Sequence, residues 1–145
     1  WDGGYMGNPA IYPLIYHCDT PDVVVVHVNP VNRPDVPTTA RDIMNRINEI
    51  SFNSSLMREM RAIAFVSRMI EDKAICDGDF KAMRMHAIAA EEVMQGLGVA
   101  SKLNADWEFL SHLHETGRRC ASAWLEREFQ DVGHRSSVDI ARTYL

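Results

Sequence analysis

The run Val23-Val24-Val25-Val26-His27-Val28 limits the fold more than any other stretch of this chain. It is β-branched and apolar on both faces, so a strand built from it needs cover on both sides. Such a run suits a buried strand of a parallel sheet rather than a half-exposed hairpin. Asp19-Thr20-Pro21-Asp22 precedes it as a turn. His27 reads as a packed, hydrogen-bonded core histidine. Asn29 to Pro37 follows as a Pro-rich loop leaving the carboxyl end of the strand, the edge at which open α/β sheets bind ligands.

One strand alone would leave the sheet underpopulated. Met83-Arg84-Met85-His86-Ala87-Ile88 alternates like a strand while its alanines suit a helix; Phe80 to Ala90 is expected to supply a second strand, with helix as the alternative. Most of the remainder reads as helix. Thr39 and Asp42 form a capping-box-like start, and Ile43, Ile47, Ile50, Leu56, Met60, Ile63, Val66 and Ile70 recur at helical spacing to about Lys73. Asn53-Ser54-Ser55 is the expected bend, because these side chains compete for backbone hydrogen bonds. The methionines there are core packing, with a lipid-contacting surface of Met57, Met60 and Met69 as the alternative. Asp77-Gly78-Asp79 is a turn, and Gln95-Gly96-Leu97-Gly98 breaks the chain again. From Asn104 to about Phe129 a second long helix is expected to bury Trp107, Leu110, Leu113, Gly117, Ala121 and Trp124. Gly117 and Ala121 would let a neighbouring element come close. Gly133 closes this region, and the residues after it pack as a tail. The fold class expected is α/β, mostly helical with one or two buried strands.

With 145 residues, 46% hydrophobic and 24% charged, the chain has the material of one globular domain. A net charge of −5 without any basic run argues against a nucleic-acid binder. No apolar stretch is long enough to span a bilayer. Cys18, Cys76 and Cys120 are odd in number and far apart, which fits reduced thiols in a cytoplasmic setting better than a disulfide framework.

The chemistry concentrates in Trp1-Asp2-Gly3-Gly4-Tyr5-Met6-Gly7-Asn8-Pro9. Its glycines let the loop fold tightly and expose Asp2 on a rigid turn. Asn8 as N-cap and Pro9 at the first helical position would open a short helix to about Tyr16. Because the chain starts on Trp1, at its most functional-looking loop, it reads as the C-terminal part of a longer protein. Ser51, Ser54, Ser55, Ser67, Ser101, Ser111, Ser122, Ser136 and Ser137 all lack the flanking glycines of a Gly-x-Ser-x-Gly nucleophile elbow. His112 and His114 are two apart on a predicted helix and diverge, and His17 and Asp19 have no second cluster to join, so no metal centre is expected.

Asp2-Gly3-Gly4 followed by Asn8-Pro9 resembles the aspartate motif of the patatin-like phospholipases, serine acyl hydrolases that use a Ser–Asp dyad. The resemblance continues in order through the valine strand ending in Asn29-Pro30, the stretch 50–59 and the stretch 101–110. These look like the C-terminal halves of a bacterial subgroup of that family. The chain departs from the family in one respect: the Gly-rich loop and the serine elbow belong to an N-terminal half that residues 1–145 do not include.

The resemblance implies the C-terminal portion of a three-layer α/β/α fold. Residues 1–37 would hold the aspartate loop, short helix and buried strand, and residues 38–145 the helical C-terminal part or its extension. It implies Asp2 as catalytic base, Gly3 and Gly4 as the residues that let the backbone run close to the serine, and no metal or organic cofactor. The substrate class implied is a lipid or acyl ester. A serine of the N-terminal half would attack the carbonyl, Asp2 would take its proton, and Asp2 would later activate the water that hydrolyses the acyl-enzyme. An effective base here is a partly buried carboxylate, with Trp1 and Tyr5 as its surroundings. The expected partners are that N-terminal half, a membrane surface touched peripherally from the cytoplasm, and a second copy that hides strand edges. The alternative is a non-catalytic helical protein-interaction module in which Asp2-Gly3-Gly4 is only a turn.

Overall fold

The computed structural model describes residues 2–75 and 80–145; Trp1, Cys76 and the expected Asp77-Gly78-Asp79 turn lie outside the described residues. The elements in order are α1 (Tyr12–His17), β1 (Asp22–His27), α2 (Ala40–Glu71), β2 (Arg84–Ala89), α3 (Glu91–Gln95), α4 (Trp107–Arg127) and α5 (Ile140–Tyr144). Short 3-10 turns stand at Gly3–Tyr5, Val99–Leu103 and Phe129–Asp131. β1 and β2 pair in parallel, from Asp22 opposite Arg84 to His27 opposite Ala89, with α2 in the crossover between them. The second strand thus lies where the alternation puts it, and the chain is a mostly helical α/β unit around a small sheet.

Thr39 caps α2, its Oγ1 accepting the Asp42 N–H at 3.2 Å. The helix then runs unbroken for 32 residues, about 48 Å at the α-helical rise. No break occurs at Asn53-Ser54-Ser55, because each side chain bonds without interrupting the helical ladder. Asn53 Nδ2 donates to the Pro30 carbonyl at 2.8 Å, Ser54 Oγ to the Ser51 carbonyl at 2.9 Å, and Ser55 Oγ accepts the Asn8 N–H at 2.9 Å.

One face of the sheet makes the core. Val23, Val25, Met83 and Met85 cluster with Leu56, Met60 and Ile63 of α2, and with Ile11, Val31 and Tyr144. Met60 is buried there and Met57 packs against it, so a lipid-contacting surface does not form from these methionines. On the opposite face Trp124 of α4 covers His86 of β2, ring centroids 6.1 Å apart.

β1 is not covered on both faces as its composition suggests: Val24, Val26 and Val28 are exposed. The sheet has two strands among the described residues, and what covers its second face stands over β2. The outer edge of β2 carries the tail instead of a strand. There the Met85 carbonyl accepts the Ser137 and Val138 N–H groups, and the Met85 N–H donates to Ser136 Oγ at 3.1 Å.

Three further expectations are corrected. α1 starts at Tyr12 rather than Pro9, and Asn8 is not its cap. Glu59 of α2 does that work, its Oε2 accepting the Ile11 and Tyr12 N–H groups at 2.7 and 2.9 Å, while the Asn8–Pro9 peptide is cis. α4 buries only the C-terminal end of its expected stripe. Thr116 and Trp124 are buried, whereas Trp107 and Leu110 are exposed, and Gly117 faces open space. His27 is half-buried, with its Nε2 lacking a hydrogen-bond partner among the described residues, and burial pushes its pKa down. The buried, hydrogen-bonded histidine of this sheet is His86.

Candidate active site

The Asp2 loop is fastened to one face of α2. Asp2 Oδ1 accepts the Gly4 N–H at 2.8 Å and so caps the Gly3–Tyr5 turn. Gly4 sits directly on Phe52: a Cβ there would lie 2.8 Å from Phe52 Cε1 and 3.1 Å from Asp2 Oδ1. The Tyr5 ring leans on the same Phe52 with centroids 4.9 Å apart. Phe52, Ser55 and Glu59 are three and four residues apart, hence on one side of the helix, and they hold respectively Gly4 with Tyr5, Asn8, and the start of α1. The stretch 50–59 is therefore the platform of the loop.

Gly4 is the close-approach glycine, against Phe52, whereas a Cβ on Gly3 would meet nothing within 4 Å. Asp2 is exposed rather than partly buried, and Tyr5 is too exposed to supply an apolar surrounding. The other residue expected to surround it, Trp1, lies outside the described residues. Gly4→Ala is expected to push Phe52 or the Asp2 carboxylate aside at a cost of about 1–2 kcal/mol. Differential unfolding of the variant checks this, and an unchanged melting curve would mean that the loop does not rest on Phe52.

Two cavities adjoin the sheet. One of ≈ 190 Å³ lies between β1 and the segment Asn8–Ile11, with Leu14 and Asn53 completing its wall. The other, ≈ 830 Å³, lies at the carboxyl ends of the strands, between the loop after β1 and residues 95–101. This is the rim that the Pro-rich loop suggested. The loop is pinned by Glu49, which accepts from Arg33 Nε at 3.0 Å and Arg46 Nη1 at 3.2 Å, and by Glu91, which accepts the Val31 and Asn32 N–H groups at 3.1 Å. Burial alone would raise the Glu49 carboxyl, but the hydrogen bonds from Arg33 and Arg46 outweigh it and hold it below its usual range. Both guanidiniums are engaged by Glu49 and by backbone carbonyls, Arg33 by that of Gln95 and Arg46 by that of Val31.

A third cluster has the composition of a hydrolytic triad. Ser137 Oγ lies 3.1 Å from His86 Nδ1, and His86 Nε2 lies 3.2 Å from Asp22 Oδ1. Its surroundings give it a different role. His86 is fully buried beneath Trp124, and Asp22 already accepts from Arg84 Nη2 and from the Gly133 N–H, each at 2.8 Å. With the imidazole enclosed and the carboxylate already engaged by Arg84 and Gly133, the cluster acts as a clasp joining both strand starts to the tail. The Arg84 hydrogen bond holds the Asp22 carboxyl well below the usual carboxylate range. Sequence reasoning left Asp22 in a turn and missed the clasp; the available signal was that Arg84 and His86 share one face of a strand.

Comparison of the chain with protein-family models, with curated proteins and with solved structures finds no match.

Proposed function

We propose that this chain carries the aspartate base of a lipid acyl hydrolase of the patatin-like kind, working through a Ser–Asp dyad. In this reading the serine, and the rest of a three-layer α/β/α domain, come from a segment outside residues 1–145. The observation that supports the reading is the anchorage of the Asp2 loop. A carboxylate that caps the Gly3–Tyr5 turn through the Gly4 N–H, next to a glycine seated on Phe52, is held in one place while staying open to an incoming group.

In the first step the serine Oγ–H proton passes to Asp2 as the oxygen bonds to the ester carbonyl carbon. The alcohol then leaves with that proton, and the acyl-enzyme remains. In the second step Asp2 takes a proton from water as its oxygen attacks the acyl carbon; the bond to serine Oγ then breaks, that oxygen takes the proton back from Asp2, and the carboxylic acid leaves. The reading requires no metal and no organic cofactor. Its proposed place of work is the cytoplasmic side of a membrane surface; among the described residues no helix is long and apolar enough to cross a membrane.

The chain alone has a base but no activated nucleophile, so it is expected to leave a p-nitrophenyl acyl ester intact. Turnover by the purified chain that disappears with one Ser→Ala substitution within it would place the nucleophile inside residues 1–145 and contradict the reading.

A further inference from the structure

His27 ends β1, and its surroundings do not suit a charge. Its Nε2 is buried and has no hydrogen-bond partner among the described residues. The Tyr144 ring of α5 lies against the imidazole, edge to face at 81° with centroids 6.3 Å apart, and is itself buried in the core. β2 sets Ala89 opposite His27, and α2 presents the Asn53 carboxamide, whose Nδ2 already donates to the Pro30 carbonyl. The charged group that bears on the ring is Glu91 at the start of α3, and its Oε1 is occupied by the Val31 and Asn32 N–H groups.

A neutral imidazole tolerates this place. Protonation adds a charge and makes both ring nitrogens donors, and a buried donor without an acceptor is costly. Burial holds the His27 pKa below the usual histidine value, and the Glu91 charge offsets only part of that. An opened chain therefore takes up the proton first. The stability that the neutral ring contributes is complete above about pH 6.5 and is lost as pH falls below it.

What gives way is decided by the elements that cover the ring. β1 pairs with β2 from end to end, and α2 runs for 32 residues across the core. α5 is only five residues long, too short to be stable by itself, and its buried anchor is Tyr144. It is the cover that opens at least cost.

We propose that α5 is an acid-released latch: a proton on His27 dislodges Tyr144, and α5 leaves the core while the sheet and the long helices stay folded. The inference is independent of the acyl hydrolase reading, since no part of the Asp2 loop enters it.

Hydrogen exchange of the 145-residue chain, corrected for the chemical dependence of exchange on pH, tests it. Between about pH 7.5 and 5.5 the protection of residues 140–144 should fall several-fold, up to about tenfold, while that of residues 84–89 holds. His27→Gln stays neutral throughout and should abolish the fall. Where that variant fails to fold, the wild-type chain decides by itself: the His27 ring resonances should report proton uptake over the same interval in which α5 loses protection. Unchanged protection of residues 140–144, equal loss over 84–89, a fall that survives in folded His27→Gln, or a protonated His27 ring beneath a still protected α5 would each overturn the proposal. The third of these would move the sensor to His86, whose Nδ1 meets Ser137 of the same tail.

Discussion

Asp22→Ala is expected to lower the stability of this chain by about 2–3 kcal/mol, a large share of the total for a small domain. The Asp22 carboxylate accepts from Arg84 Nε and Nη2 at 3.0 and 2.8 Å and from the Gly133 N–H at 2.8 Å, and it meets His86 Nε2 at 3.2 Å. The cost falls mainly on His86. That ring is fully buried, and its Nε2 loses its partner in the fold. Arg84 is partly exposed and finds water instead, so its pairing adds little. The same clasp predicts an acid limb. The Asp22 pKa is depressed in the fold, chiefly by the Arg84 hydrogen bond, so the unfolded chain takes up the proton first. Its contribution is therefore complete above about pH 4, the ordinary aspartate range, and is lost as pH falls below it. Denaturant unfolding along a pH series checks both statements. Asp22→Ala should be less stable at neutral pH and should lose less on acidification. A variant within about 0.5 kcal/mol of wild type at pH 7 would show that the clasp contributes nothing.

How much of this was legible in the sequence depends on the range of the interaction. The capped start of α2 and a strand at Arg84–Ala89 are local readings, and both elements are present, although burial along β2 does not alternate, Met85 and His86 both being buried. The composition of β1 says that both faces tolerate burial, but not how many strands and helices arrive to cover them. Val24 and Val26 are exposed for that reason. The α4 stripe fails in the same way, since a period of 3.6 marks an apolar face whether or not a neighbour reaches along its whole length. The expected bend in α2 rested on local competition by Asn53, Ser54 and Ser55. Two of those side chains are claimed by distant groups, the Pro30 carbonyl and the Asn8 N–H, which no window of sequence displays.

The candidate site divides along the same line. The turn that presents Asp2 could be read from Gly3 and Gly4, and the cap formed by its Oδ1 is a two-residue interaction. Its seat could not, because Phe52, Ser55 and Glu59 lie more than forty residues away in the chain. The clasp of Asp22, Arg84 and His86 required the strand register before it could be seen.

The central claim is that Asp2 is a base rather than a turn residue, and one substitution separates the two. Asparagine keeps a side-chain oxygen for the Gly4 N–H and is among the best residues for the same turn, so Asp2→Asn should leave the melting curve unchanged. An amide cannot take the proton of a serine hydroxyl. In a protein that unites this chain with its serine-bearing segment, kcat/KM for acyl-ester hydrolysis should therefore fall by roughly 10²–10⁴, about 3–5 kcal/mol of barrier. Loss of rate on that scale with an intact fold is the predicted result, and an Asp2→Asn protein that keeps more than about a tenth of wild-type kcat/KM would contradict it.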